Sequence, residues 1–319
     1  MNRKTRFVIV PFVLAAISFL LPQLALADSK LEYWTWNNEG DYVKVDDSAI
    51  ARFEAANPGV KVEVTYVSYG DYMTKLKAAL AANEPPDIFQ VPWNSGFKDL
   101  AMSGKLEPMG SILSEGFPDI NKSALSFVSL DGKAWALPLD LNTLQIAYNK
   151  NTFEELNLSV PTTNSDLIAT AKSLKDADYF GIALGTKDKW AGGDTWFAQL
   201  VYTDPTGMKL AEADSGTLGW DDKVFSEAAS QVINLIENGV FAPGANSMGA
   251  FNESLDLFVS GKAAMFYPVG NFISGGIDAK VAGEFEWSLF PFPGGSGDEP
   301  TATGGIARMF SLPAGGDQN

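Results

Sequence analysis

The sequence predicts an α/β fold built on a mainly parallel sheet and divided into two domains, and three observations predict it. The first third alternates extended and amphipathic runs in the order strand–helix–strand–helix–strand, which places successive strands parallel with right-handed crossovers. Removing an export segment at residues 1–27 leaves 292 residues, more than one hydrophobic core usually holds. An apolar fraction of 46% with no cysteine indicates a core large enough to stand without disulfides.

The chain opens with Arg3, Lys4 and Arg6, continues with an apolar run from Phe7 to Leu21, and then places Ala25, Leu26 and Ala27 ahead of Asp28. That order is a secretion signal with cleavage between Ala27 and Asp28. The run is too short to span a bilayer, where about 20 apolar residues are needed. No cysteine follows it to carry a lipid, so the expected product is exported and untethered. Residues 31–36 (LEYWTW) read as a strand ending in turn-prone Asn37, Asn38, Glu39 and Gly40. Asp47 or Ser48 can cap a helix with Ile50 and Phe53 on one face, stopped at Asn57-Pro58-Gly59. Residues 60–67 (VKVEVTYV) alternate as a strand. Asp71 opens a helix with Tyr72, Leu76, Ala79 and Leu80 at helical spacing, and residues 87–91 (DIFQV) form a short buried strand. A further helix follows and ends at Gly104. Extended runs at 133–139 and 144–149 come next, then helices at 165–175, 196–202 and 224–238, and a helix–strand pair at 255–267. The Pro- and Gly-rich stretch 291–305 reads as a loop, residues 308–313 as a strand, and 315–319 as a helix start with no helix after it.

Composition excludes much chemistry. Without histidine or cysteine the chain has no Ser-His-Asp triad, thiolate nucleophile, zinc ribbon or iron–sulfur cluster. The formal charge of −16 becomes −19 once the basic signal is removed, which repels phosphate backbones and argues against nucleic acid. No phosphate-binding loop or strand-linked GxGxxG is present, so no nucleotide cofactor is expected. The acidic pairs Asp46-Asp47, Asp221-Asp222 and Asp298-Glu299 lack calcium-ligand spacing and read as solvated surface charge, so no metal is expected. What stands out is tryptophan beside small polar residues: Trp36 with Asn37 and Asn38, Trp93 with Asn94 and Ser95, and Trp190 with Asp194 and Trp196. A neutral sugar presents apolar C–H faces and a ring of hydroxyls, which aromatic planes and amides or carboxylates match. Trp36 and Trp93 follow strands, and in open parallel sheets the ligand crevice lies beyond the carboxyl ends of the strands.

The order and spacing of several stretches resemble the bacterial extracellular solute-binding proteins of the maltose-binding type, family 1, which serve ABC importers of sugars. The stretches are LEYWTWNN at 31–38, AIARFEAANPGVKVEV at 49–64, PPDIFQVPWNSGFKDLAMSGKLEPM at 85–109, DGKAWALPLDLNTLQIAYNKNTFEELNL at 131–158, LDLFVSGKAAMFYPVGNF at 255–272 and TGGIARMFSLPA at 303–314. The resemblance implies two α/β lobes joined by a hinge, each a mainly parallel sheet flanked by helices, with the ligand between them. The N-terminal lobe would be 28–147 plus 303–319 and the C-terminal lobe 148–302. Relatives of this kind continue with helices completing both lobes, so the chain reads as C-terminally truncated. Carried over residue by residue, the ligand contacts fall on Trp36, Asn37, Asn38 and Glu39, on Trp93, Asn94 and Ser95, and on Asp140 and Asn142 in the first lobe. In the second lobe they fall on Trp190, Asp194 and Trp196 and on residues 267–272, chiefly Tyr267, Asn271 and Phe272. Many members carry tryptophan where this chain has Asn271.

The implied function is a non-enzymatic, monomeric periplasmic receptor that clamps a mono- or oligosaccharide and delivers it to membrane permease subunits, without metal or cofactor. Two alternatives stay open. A secreted glycoside hydrolase would need two of Glu39, Asp140 and Asp194 flanking a glycosidic bond. The same fold could instead hold a polyamine or peptide.

Overall fold

The computed structural model describes residues 29–37, 40–92, 95–202, 209–251, 253–270, 273–293, 303–306 and 308–315; the expected signal, with Ala27 and Asp28, lies outside them. The β-branched alternation of the N-terminal third folds as expected. Strands β1 (Ser29–Thr35), β2 (Val60–Tyr66) and β3 (Ile88–Gln90) are parallel, and helices α1 (Gly40–Ala56) and α2 (Tyr69–Ala82) connect them. Tyr72, Leu76 and Leu80 bury one face of α2 against Phe89 and Val91, at the i, i+4, i+8 spacing read in the sequence. Helix α1 begins seven residues before the capping site read at Asp47. Its inward residues include Asp46, 9% exposed, whereas Phe53 is 40% exposed. The sequence reading of Asp46 as surface charge fails because a partner distant in sequence, Arg308, draws it inward.

Helices α3 (Ser95–Met102), α4 (Gly110–Gly116) and α5 (Lys122–Phe127) follow, then the hairpin β4 (Ser129–Leu130) and β5 (Lys133–Ala134). Strand β6 (Leu137–Pro138) rejoins the first sheet. The chain then leaves through β7 (Leu141–Asn149) and α6 (Lys150–Glu155) into a second sheet. Its other members are β8 (Phe180–Leu184), β9 (Ala263–Val269) and β10 (Trp287–Phe290), in the order β10-β7-β9-β8. Helix α7 (Asn164–Asp176) starts at a capping box in which Thr163 and Asp166 satisfy each other's backbone N–H groups. Short helices α8 (Ala198–Tyr202) and α9 (Lys209–Asp214) precede α10 (Lys223–Glu237), capped by Asp222, and then come α11 (Glu253–Val259) and α12 (Ala279–Val281). Side-chain alternation splits the second sheet between two cores: Ile146, Ile182, Met265 and Tyr267 face one, and Ala147, Ala183 and Phe266 face the other.

The return path is β11 (Thr303–Ile306), antiparallel to the first half of β7, and β12 (Met309–Ser311), which lies between β3 and β6. Residues 303–306 therefore form a strand where the glycines had read as loop: β7 supplies backbone partners, so little side-chain signal is needed. Ile146 and Ala147, assigned by sequence to the first lobe, already pair with β9 and β10 and pack in the second lobe's cores. Residues 141–144 and 303–306 pair as a two-stranded ribbon between the two sheets.

Candidate functional site

Strand directions locate the site. The carboxyl ends of β1, β2 and β3 share one edge of the first sheet, and β6 ends there too, because β12 is antiparallel to both β3 and β6. In the second sheet β8 and β9 are parallel, and Gln145 of β7 pairs with Val269 at the end of β9. The incoming half of β7 thus lies at the carboxyl edge of β8 and β9. The ribbon joins these two edges, so the loops after β1, β2, β3 and β6 lie toward those after β8 and β9. Within the first sheet the order β2-β1-β3 makes the gap between β1 and β3 the topological switch point, where open α/β sheets bind ligands.

Trp36 and Asn37 stand at that switch point, both half-buried. Trp36 leans edge-on against Tyr72 at 4.9 Å and Tyr69 at 5.5 Å, so its indole is held by the first core without being sealed within it. The Tyr72 hydroxyl reaches the carbonyl oxygens of Gln90, at 2.8 Å, and Trp34, at 3.0 Å, tying the ends of β1 and β3 together. The side-chain amide oxygen of Gln90 accepts from the Thr35 hydroxyl at 2.8 Å and from the Asn37 amide at 3.4 Å. Gln90 is fully buried, and its Nε2 has no acceptor among the described residues. Asn38, Glu39, Trp93 and Asn94 lie outside the described residues, as does the side chain of Ser95, whose backbone starts α3.

Asp140, read as a ligand contact, is engaged within the protein by Arg308 and keeps 28% of its side chain exposed. Its Oδ1 accepts the Arg308 backbone N–H at 2.8 Å and its Oδ2 the Arg308 Nε–H at 3.3 Å. The guanidinium also reaches Asp46 at 3.2 Å and lies 4.2 Å over the Tyr42 ring. Asp46 in turn accepts from the Tyr33 hydroxyl at 3.0 Å. Burial pushes the Asp46 carboxyl above its ordinary range, against the opposing pull of Arg308 and Tyr33, and burial raises the Tyr33 and Tyr42 hydroxyls so that both stay protonated. The predicted ligand carboxylate is thus part of a charge cluster that fastens both crossover segments to α1. Asn142, one turn of the ribbon further, does face the cleft loops: a Cβ on Gly270 would sit 2.8 Å from its Nδ2.

In the second lobe Trp190 is half-buried on the loop after β8, 5.1 Å from Phe251. Trp196 and Tyr267, by contrast, are core residues, 1% and 0% exposed. Three T-shaped contacts surround Trp196, with Phe241 at 4.9 Å, Tyr267 at 4.8 Å and Phe292 at 4.6 Å. For Trp196 the sequence spacing misled because the turn carrying it is a π-helix over Ala191–Phe197, which rotates side chains away from the 3.6-residue register, whereas Tyr267 lies within β9. The side chain of Asp194, and Asn271 and Phe272, lie outside the described residues. Another π-helix, Ile273–Asp278, follows β9 and lies against α1 of the first lobe. Lys98 of α3 and Asp214 of α9 form a 2.9 Å ion pair from lobe to lobe.

Tyr69, Gln90 and Arg308 were missed by the sequence reading. A glutamine inside the apolar run DIFQV, and an arginine inside the strand-like IARMF, were the available signals, because a buried polar group must find a partner. Among the described residues no cluster of carboxylates suits a metal ion, and no helix is long and apolar enough to cross a membrane.

Comparison with known proteins agrees with this geometry. The multiple sugar-binding protein of Streptococcus mutans is 26% identical over 275 residues, covering 83% of this chain and 62% of that protein. The sn-glycerol-3-phosphate-binding periplasmic protein of Escherichia coli is 27% identical over 265 residues, covering 78% and 58%. The chain spans between 51% and 64% of the length of these and several other curated relatives. Among solved structures, a chitin oligosaccharide binding protein superposes with a TM-score of 0.77 at 25% identity, over 90% of this chain and 73% of the other. A protein from work on xylan utilization by Caldanaerobius polysaccharolyticus gives 0.79 at 26%, over 90% and 74%. The family described as bacterial extracellular solute-binding protein matches residues 36–319. Two sheets whose carboxyl edges are joined by a crossover ribbon, and a family match over residues 36–319, lead to one assignment: the chain belongs to the bacterial extracellular solute-binding proteins.

Proposed function

We propose that this chain is the binding component of an ABC importer, closing its lobes on a mono- or oligosaccharide and presenting it to permease subunits. The observation that carries the reading is Trp36 beside Asn37 at the switch point, an aromatic plane and an amide held ready where the two sheet edges meet. Relatives named for sugars and for chitin oligosaccharide support the ligand class. Closure follows from contacts that only the closed arrangement completes. The protein acts as an exported monomer, cleaved after Ala27, without a lipid anchor, metal or cofactor. The reading includes no chemistry on the cargo, and of the three carboxylates a hydrolase could draw on, Asp140 is already engaged by Arg308.

A thermal-shift screen of carbohydrates on the mature protein tests this. A sugar at 100 times its dissociation constant stabilises the fold by about 2.7 kcal/mol. Stabilisation by a sugar without hydrolysis product after hours supports the reading. Stabilisation only by polyamines, peptides or glycerol phosphate overturns the cargo, and turnover overturns the receptor role.

The Lys98–Asp214 pair stabilises the closed arrangement. Both ends are exposed, so its contribution is about 0.2–1 kcal/mol, up to roughly fivefold in affinity. Asp214→Lys is expected to weaken sugar binding within that range at low salt, with the deficit fading in 1 M salt. The swap of Lys98→Asp with Asp214→Lys is expected to restore binding. A deficit unaffected by salt would mean that the pair is not acting through charge.

A further inference from the structure

We propose that Tyr69 is a sugar-stacking platform at the outer end of the cleft, and that the cargo is therefore an oligosaccharide of at least two rings. This inference rests on the carbohydrate reading above. Tyr69 opens α2 just past the carboxyl end of β2, and it is 38% exposed although aromatic. Its ring is held edge-on to Trp36, 5.5 Å between centroids at 80°. Trp36 stands edge-on to Tyr72 in turn, and Tyr72 is 1% exposed and anchored to the carbonyls of Trp34 and Gln90. An exposed ring fixed through two aromatic contacts to the core is preorganised, so ordering it on binding costs little.

Its position decides the length of the cargo. The first sheet runs β2-β1-β3-β12-β6, and the crossover leaves from the β6 and β12 side. Tyr69 sits at the opposite edge, on α2 just past the end of the edge strand β2, farthest from the hinge. Neighbouring strands lie about 4.8 Å apart, so the lip from the end of β3 past Trp36 to Tyr69 extends about 10 Å. A single pyranose does not cover that span. A ring stacked near Trp36 leaves Tyr69 for the next sugar along the chain, and the rings' near-perpendicular faces suit successive sugars that are turned relative to each other.

The test is calorimetric titration of the mature protein and its Tyr69 variants with xylo-, chito- and malto-oligosaccharides of one to four units. For the series that binds, affinity is expected to rise from one unit to at least two. Tyr69→Ala is expected to lose about 5–10-fold with the longer members, the worth of one stacked ring, and less than about twofold with the monosaccharide. Tyr69→Phe is expected to bind like the parent, because the ring and not the hydroxyl does the stacking. Unchanged melting temperatures show that the variants fold; if Tyr69→Ala does not, Tyr69→Leu replaces it. Equal losses at every length, no loss at any length, or a monosaccharide bound as tightly as its oligomers would overturn this inference while leaving a sugar receptor intact. Failure of every carbohydrate to bind the parent protein overturns the carbohydrate reading itself, and this inference with it.

Discussion

Replacing Arg308 by methionine is expected to lower folding stability by about 3–5 kcal/mol at pH 7, the cost of leaving buried carboxylates without their cation. The side chains of Arg308 and Asp46 are each 10% exposed and that of Asp140 is 28% exposed, so water replaces the guanidinium poorly. The pH dependence carries a definite sign. Burial already raises Asp46 above its unfolded value. The folded state therefore holds more protons than the unfolded state between those two values, and stability falls as pH rises through that window. Without Arg308 the window extends upward, so the variant is expected to lose more at pH 7 than at pH 5. Urea unfolding at both values measures this. A combined Asp46→Asn, Asp140→Asn, Arg308→Met protein is expected to recover most of the loss, since no uncompensated charge remains. A deficit below about 1 kcal/mol in the single variant, or one independent of pH, would show that the cluster is solvated and does not fasten the crossover.

Gly185→Ala is expected to destabilise the second lobe by about 3 kcal/mol or more and to weaken sugar binding with it. An added Cβ would lie 2.2 Å from the Gly249 carbonyl oxygen, 2.4 Å from its carbon and 2.8 Å from the Ala250 nitrogen. All three are backbone atoms, so no side-chain rotation relieves the overlap. The loop after β8 is stitched to the same segment by Thr186 N–H to Ala245 and Lys187 N–H to Met248 carbonyl bonds, and it carries Trp190 against Phe251. Gly116→Ala, with open space around the new methyl group, is the control and is expected to stay within about 0.5 kcal/mol of the parent. Equal melting temperatures for Gly185→Ala and the parent would mean that the two segments part readily.

Both predictions concern contacts between residues far apart in sequence, and the same divide separates what could be read beforehand from what could not. Local periodicity is enough for α2, whose Tyr72, Leu76 and Leu80 are buried as their spacing requires, and for the parallel β1, β2 and β3 with an aromatic at the lip. It failed for α1, where a buried carboxylate imitates a surface one, and for β11, where glycines imitate a loop. At the candidate site the position of Trp36 just beyond its strand was legible. The burial of Trp196 and Tyr267 was not, because an aromatic beside polar residues has the same local signature in a core and in a cleft.

The α/β class, the family and the amphipathic faces were legible along the chain, since they follow from periodicity and from the order of short patterns. Which polar side chains bind one another depends instead on contacts between segments far apart in the chain. Asp140 pairs with Arg308, 168 residues away, because a buried guanidinium takes the nearest carboxylates wherever the chain brings them.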